Sequence, residues 1–179
     1  MGRILLRNQA YEVENEKPVS IHIPEYNILI KNTVLGKDVS IWANLNIYGA
    51  VIGENTKLGS FIEIRSDVQI GKNCKLEPFI FIPEGVSLED NVFIGPNVTF
   101  TNDLYPRACN PDGSLITNYE ISQTLVRSFA SIGAGCVIRC GIKIGRNSMI
   151  GAGSVLTKDI GDHELWYATP ASCKGKVRK

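Results

Sequence analysis

Asn102 and Asp103 stand together where a strongly patterned chain gives way to a polar stretch. A paired amide and carboxylate can hold a nucleophile in line and accept its proton, once it sits about 3 Å from the atom it attacks. Glu63 is a second carboxylate for that proton, and Tyr105 and Arg107 follow Asp103 as groups able to grip a polar substrate. Further on, Gly133-Ala134-Gly135 and Gly151-Ala152-Gly153 recur at a separation of eighteen residues. Stacked on each other, Ala134, Gly135, Ala152 and Gly153 form a wall of near-naked backbone. A long, thin ligand can lie there and exchange hydrogen bonds with main-chain N–H and C=O groups. Arg127, Arg139, Arg146 and Lys158 are cations that can meet phosphates on such a ligand, and Arg146 and Lys158 are the ones assigned to it. Glycine at these places also serves a plain turn, which is enough to explain Gly133 and Gly151.

Other chemistries have little to work with. His22 and His163 are the two histidines of the chain, and both read as surface or cap residues. The five cysteines are odd in number and show no C-x-x-C spacing, so neither a disulfide framework nor a zinc ribbon is expected, and no metal site. Cys74 and Cys136 fall at small inward positions of the pattern described next.

Aliphatic residues recur every six positions: Leu29, Leu35, Ile41 and Ile47, then after a one-residue deletion Ile52 to Phe100, and after the polar stretch Val126 to Leu156. These anchors form runs of four, nine and six, nineteen units in all. Four residues after each anchor comes a second inward residue, among them Val39, Leu45, Val51, Ile62 and Val68. Glycine follows the anchor at Gly36, Gly53, Gly59, Gly71, Gly95, Gly133, Gly145 and Gly151, where a bending chain can use a flexible corner. An α-helix puts residues six apart on different faces, and the strands of a β-sandwich alternate with period two. Short extended pieces that turn every six residues bring every anchor inward, which predicts an all-β parallel β-helix of hexapeptide repeats. Three units close one coil, so nineteen make about six coils, stacked at ~4.8 Å into a prism on the order of 30 Å tall.

The stacking places outward residues in ladders. One reads Asn44, Phe61, Phe79, Asn97; the next Asn46, Glu63, Phe81, Thr99; the third Tyr48, Arg65, Pro83, Thr101. Asn46, Glu63, Arg65 and Phe81 thus line the face that leads to Asn102, and are assigned to substrate. Two stacked phenylalanines on an outer face need a cover, a neighbouring subunit or a ligand. The expected division is a capping segment over 1–28, a β-helix over 29–160 with an excursion loop at 102–125, and a tail over 161–179. In the first segment Tyr11, Val13, Val19, Ile21 and Ile23 can pair as strands over the open edge of the first coil. Within the loop, Pro111-Asp112-Gly113-Ser114 reads as a surface turn.

Lys+Arg 19 against Asp+Glu 18 leaves a net charge of +1, too weak a field to hold nucleic acid or an anionic membrane. No segment approaches the ~20 apolar residues of a membrane span, and the first residues lack a cleavable leader and the myristoylation pattern. A cytoplasmic protein is the expectation.

Ile94-Gly95-Pro96-Asn97-Val98-Thr99, Ile132-Gly133-Ala134-Gly135-Cys136-Val137 and Ile150-Gly151-Ala152-Gly153-Ser154-Val155 resemble the hexapeptide repeats of left-handed parallel β-helix acyltransferases. The likeness runs from about Leu29 to Pro170. Val92 to Arg107, with Phe100-Thr101-Asn102-Asp103-Leu104-Tyr105-Pro106-Arg107 at its end, is similar to a segment of bacterial nucleotide-sugar amino N-acetyltransferases. The resemblance implies the left hand of the coil, a homotrimer with sites between subunits, a loop that helps close them, and a role in surface polysaccharide synthesis. It implies acetyl-CoA as cosubstrate, whose pantetheine arm suits the Gly-Ala wall, and a UDP- or dTDP-linked amino sugar as acceptor. The basic terminus from Lys174 to Lys179 then borders the adenine end. Sugar O-acetyltransferases of this superfamily use a mid-prism histidine, and close amino-sugar relatives often carry histidines after the tryptophan, where this chain has Trp42-Ala43-Asn44-Leu45-Asn46. The expected function is N-acetyl transfer; a sugar O-acetyltransferase and a non-catalytic β-helix scaffold are the alternatives.

Overall fold

In the computed structural model, which describes residues 2–6, 9–13 and 17–176, the chain winds into a three-sided parallel β-helix. The first face stacks Val39–Ile41, Lys57–Leu58, Lys75–Leu76, Phe93–Ile94, Ser131–Ile132 and Met149–Ile150 in parallel register. The second face carries Leu45–Tyr48, Ile62–Ile64, Ile80–Ile82, Thr99–Phe100, Val137–Ile138 and Val155–Leu156. The third carries Val51–Ile52, Gln69–Ile70, Val86–Leu88, Thr124–Val126 and Lys143–Ile144. The long strand Ile28–Leu35 turns the corner between the second and third faces and lies under both.

The stack is taller than the six coils expected. Gly2–Leu6 pairs in parallel beneath Val39–Ile41, and Glu164–Tyr167 pairs in parallel above Met149–Ile150, making the first face eight parallel strands deep. Neither segment keeps the six-residue phase, so spacing alone did not reveal them as coils. Antiparallel strands finish both ends: Gln9–Val13 on Gly2–Leu6, Pro18–Ile23 on Ile28–Leu35, and Ser172–Lys176 on Glu164–Tyr167. Val13, Val19, Ile21 and Ile23 pack against the core, whereas Tyr11 is exposed.

Inside runs a single column of aliphatic side chains, with Ile41, Ile47, Ile64, Ile82, Ile94, Ile132, Ile138 and Ile144 fully buried. Cys74 and Cys136 belong to it, and burial pushes both thiols up. Two expected inward residues face out. Leu29 is 47% exposed, because the step from Ile30 to Leu35 is five residues and the true anchors are Ile28 and Ile30. Val51 is exposed and Ala50 takes its place, again beside a shortened step.

Glycine after the anchor serves closeness rather than flexibility. A Cβ at Gly133 would lie 2.6 Å from Ala152 N, and one at Gly53 would lie 2.6 Å from Lys72 N, in each case the backbone of the next coil. The left-handed residues come two positions later, and each corner stacks a column of them. The corner after the first face holds Asn27, Asn44, Phe61, Phe79, Asn97, Gly135 and Gly153, all with φ between 50° and 71°. The corner after the third face holds Asp38, Asn55, Asn73, Asn91, Phe129, Asn147 and His163. Asn, Asp and Gly tolerate this conformation, which explains most of both columns. Asn55 donates to Asn73 at 3.3 Å and Asn73 to Asn91 at 3.2 Å, so part of the second column is also an amide ladder.

Candidate functional site

The second face and its two bordering corners gather most of the assigned residues. Register pairs Asn46 with Glu63, Glu63 with Phe81, and Phe81 with Thr99, as the ladder predicts. At the corner beyond, Arg65 Nε donates to Glu63 Oε1 at 3.0 Å, and its guanidinium carbon lies 5.8 Å from the Tyr48 and Phe81 ring centroids. Burial works against the Arg65 charge, but the facing Tyr48, Glu63 and Glu84 outweigh it and hold the guanidinium charged above its ordinary range.

Glu84 is the residue that sequence reasoning missed. Its Oε2 accepts Asn102 Nδ2 at 3.2 Å and its Oε1 lies 3.8 Å from Arg65 Nη1, with only 16% of the side chain exposed. Glu84 stands eighteen residues before Asn102, so the stacking arithmetic that made the other ladders places one beneath the other. One of the two N–H donors on Asn102 Nδ2 goes to Glu84, which leaves its second N–H and its Oδ1 to meet whatever enters the site.

Asn102 is the last residue before the excursion, and the loop returns beside it: Ser122 N donates to Asn102 O at 2.9 Å, and Thr124 N to Gly85 O at 2.9 Å. Asp103 turns into the loop, where its Oδ1 accepts Tyr105 N at 2.8 Å. Tyr105 is 79% exposed and Arg107 Nη1 donates to Pro106 O, so the structure does not bring either into the Asn102 cluster. Farther out, Asp112 Oδ1 accepts from Ser114 N and Oγ, and Gly113 N donates to Asn110 O, making the expected surface turn. Those Ser114 hydrogen bonds hold the Asp112 carboxyl below its usual range.

The opposite border of the second face is the corner that carries Gly135 and Gly153. With φ of 67° and 71°, a Cβ at either would meet nothing within 4 Å, so the expected bare wall exists and opens to solvent. Its N–H groups are not all available: Gly135 N donates to Pro96 O and Gly153 N to Ala134 O, both at 2.8 Å. The bare surface leaves room outside both glycines.

Arg146 and Lys158 are not beside that wall. Arg146 lies at the corner after the third face, where its Nη2 is 3.8 Å from Glu89 and its N–H donates to Asp162 Oδ1. Arg127 joins the same cluster, 3.7 Å from both Glu89 and Asp162. Lys158 is exposed and follows Thr157, whose carbonyl accepts Arg139 Nη1, on the corner of the excursion loop. Unit counting explains the misplacement: Arg146 comes two six-residue units, hence two corners, after the unit of Gly133 to Gly135. Val177, Arg178 and Lys179 of the basic terminus lie outside the described residues. His22 pairs with Leu29 at the base of the second face, and His163 continues the corner column with its N–H on Arg146 O. Among the described residues no group of three His, Cys, Asp or Glu could hold a metal ion. No helix among them is long and apolar enough to cross a membrane.

A prism of six-residue turns with a polar cluster on one face and a bare corner beside it defines a class that comparison with known proteins supports. Residues 49–79, 67–102 and 124–158 match the family described as bacterial transferase hexapeptide (six repeats), and the chain belongs to that hexapeptide-repeat family. A galactoside O-acetyltransferase of Lactococcus lactis subsp. lactis is 35% identical over 88 residues, 49% of this chain and 42% of that relative. A dTDP-3-amino-3,6-dideoxy-alpha-D-galactopyranose 3-N-acetyltransferase of Aneurinibacillus thermoaerophilus is 50% identical over 58 residues, 32% of this chain and 30% of that relative. A solved galactoside acetyltransferase in complex with coenzyme A has a TM-score of 0.63 and 29% identity, covering 73% of this chain and 66% of that one. The matches span less than half the length of these two curated relatives.

Proposed function

We propose that the protein transfers an acetyl group from acetyl-CoA to the amino group of a UDP- or dTDP-linked sugar, acting as a cytoplasmic homotrimer in surface polysaccharide synthesis. The observation that carries this reading is the Glu63–Arg65–Glu84–Asn102 cluster on the second face and one of its corners, with the bare Gly135–Gly153 corner on that face's other border. The relative from Aneurinibacillus thermoaerophilus supports the amine as acceptor.

Acetyl-CoA lies along the Gly135–Gly153 corner with its thioester over the second face. Asn102 Oδ1 accepts an N–H of the sugar amine and aims the nitrogen lone pair at the thioester carbonyl. Arg65 bridges Glu63 and Glu84, offsets one of their two charges and keeps the cluster compact. As the C–N bond forms and the C–S bond breaks, the amine proton passes to Glu63 or Asp103 or leaves on the coenzyme sulfur; an amine needs less help here than a hydroxyl.

A second reading, O-acetylation of a sugar hydroxyl, is favoured by the two galactoside acetyltransferases. Against it, His22 lies three strands below Glu63 on the second face, through Leu29 and Asn46, and His163 is on another corner. Thiol release from acetyl-CoA with a panel of uridine and thymidine diphosphate sugars, amino and hydroxyl, decides between them. Asn102→Ala is expected to lower kcat/KM by roughly 10–100-fold with acetyl-CoA affinity unchanged; full activity removes Asn102 from the mechanism. No heat on titration with millimolar acetyl-CoA leaves only a scaffold.

A further inference from the structure

The phenylalanine pair on the first corner remains after the Asn102 cluster is explained. Phe61 and Phe79 hold φ of 59° and 62°, a conformation in which the Cβ of a bulky residue crowds its own backbone. The other described residues of that column are Asn27, Asn44, Asn97, Gly135 and Gly153, the types that tolerate it. The two rings stack at 4.7 Å with planes 3° apart, yet they stay 51% and 54% exposed. Strain and open aromatic surface therefore coincide at the same two coils, where an asparagine would sit more easily. Backbone strain kept at an exposed position points to use.

The surroundings choose the user. Phe61 and Phe79 line an open groove of about 610 Å³ together with Asn44, Asn46, Glu63 and Phe81. Aromatic area rimmed by amides and a carboxylate suits a flat ligand whose rim carries both donors and acceptors, since an asparagine side chain answers either. A heterocyclic base has that form. We infer that Phe61 and Phe79 are the platform for the base of a nucleoside diphosphate, with Asn44 and Asn46 placed to read its edge. The inference rests on the nucleotide-sugar reading above and gives it a direction. The base lies at the first corner, the sugar amine at Asn102 across the second face, and the diphosphate passes Arg65, held between Tyr48 and Phe81.

The double variant Phe61→Asn/Phe79→Asn tests this, because it installs the residue that the column already carries at Asn44 and Asn97. Calorimetric titration with dTDP and UDP is expected to show affinity falling about tenfold or more, the scale of base–aromatic stacking, with acetyl-CoA affinity and molecular mass unchanged. Unchanged nucleotide affinity overturns the platform and leaves the acetyl-transfer reading standing. A drop in molecular mass assigns the rings to a contact with a second copy of the chain and overturns it too. A wild-type protein that binds neither nucleotide removes the nucleotide-sugar reading, and the platform with it. In the wild type, saturation of phenylalanine ring protons is expected to reach the thymine methyl of dTDP; its absence, with dTDP bound, also overturns the platform.

Discussion

Glycines in this chain do two different jobs two residues apart. Gly133 is needed because Ala152 N of the next coil would be 2.6 Å from its Cβ, a contact that no rotamer relieves. Gly135 is needed because its φ is 67°, but the space outside it is empty. Gly133→Ala is therefore expected to cost about 1–3 kcal/mol of stability, the range of an overpacked core, seen as a lower Tm. Gly135→Ala is expected to cost about 1 kcal/mol for the left-handed conformation. Its new methyl stands on the path given to the coenzyme, so acetyl-CoA affinity is expected to fall on the order of tenfold by calorimetry. Equal affinities for Gly135→Ala and wild type place the coenzyme elsewhere. The sequence shows all these glycines alike; which one meets backbone and which one faces solvent depends on the coil above.

Among the elements, the corner after the third face is tied by charge across coils. Glu89 Oε2 accepts from Ser128 N at 2.8 Å and Ser128 Oγ at 2.7 Å, and these bonds, helped by Arg127 and Arg146 against partial burial, hold its carboxyl below the usual range. Glu164 is lowered in the same way by Trp166 Nε1 and Gly161 N. A carboxyl lowered in the folded state stabilises above its unfolded pKa of about 4.3, and that contribution disappears as pH falls through the lower folded value. Tm is thus expected to decline below about pH 4.5, and Glu89→Gln to lower Tm at pH 7 while flattening that acid limb. An acid limb equally steep in the variant assigns it to other carboxyls. These pairs are legible only in part from sequence. Glu84 and Asn102 are eighteen apart within one run, whereas Glu89 and Ser128 are 39 apart, across the excursion whose length hides the register.

As a whole the molecule is one column of aliphatic side chains wrapped by backbone, and each coil touches only its neighbours. Ile64 sits in mid-column, fully buried, in register with Ile47 below and Ile82 above. Ile64→Ala is expected to cost about 2–5 kcal/mol, roughly 5–15 °C in Tm for a chain of this size. In a stack of this kind the loss starts locally, so amide exchange is expected to rise first in the coils of Ile47 and Ile82 and last near Ile144. A uniform rise would mean that the column unfolds as one unit. The six-residue phase determined the β-helix, its inward column and the ladders of the second face, because side-chain direction repeats with the turn. It also placed Asn46, Glu63, Arg65 and Phe81 on the approach to Asn102. It did not determine the hand, which came from resemblance, nor the outermost strands Gly2–Leu6 and Glu164–Tyr167, whose sequences lack the phase and are held by hydrogen bonds to a coil already formed. Only the tertiary structure decided that Arg146 belongs to Glu89 and Asp162, that Glu84 holds Asn102, and that Phe61 and Phe79 stack in a conformation they disfavour. Those outcomes depend on which corner a residue reaches and what the next coil sets against it, and a one-residue deletion is enough to change both.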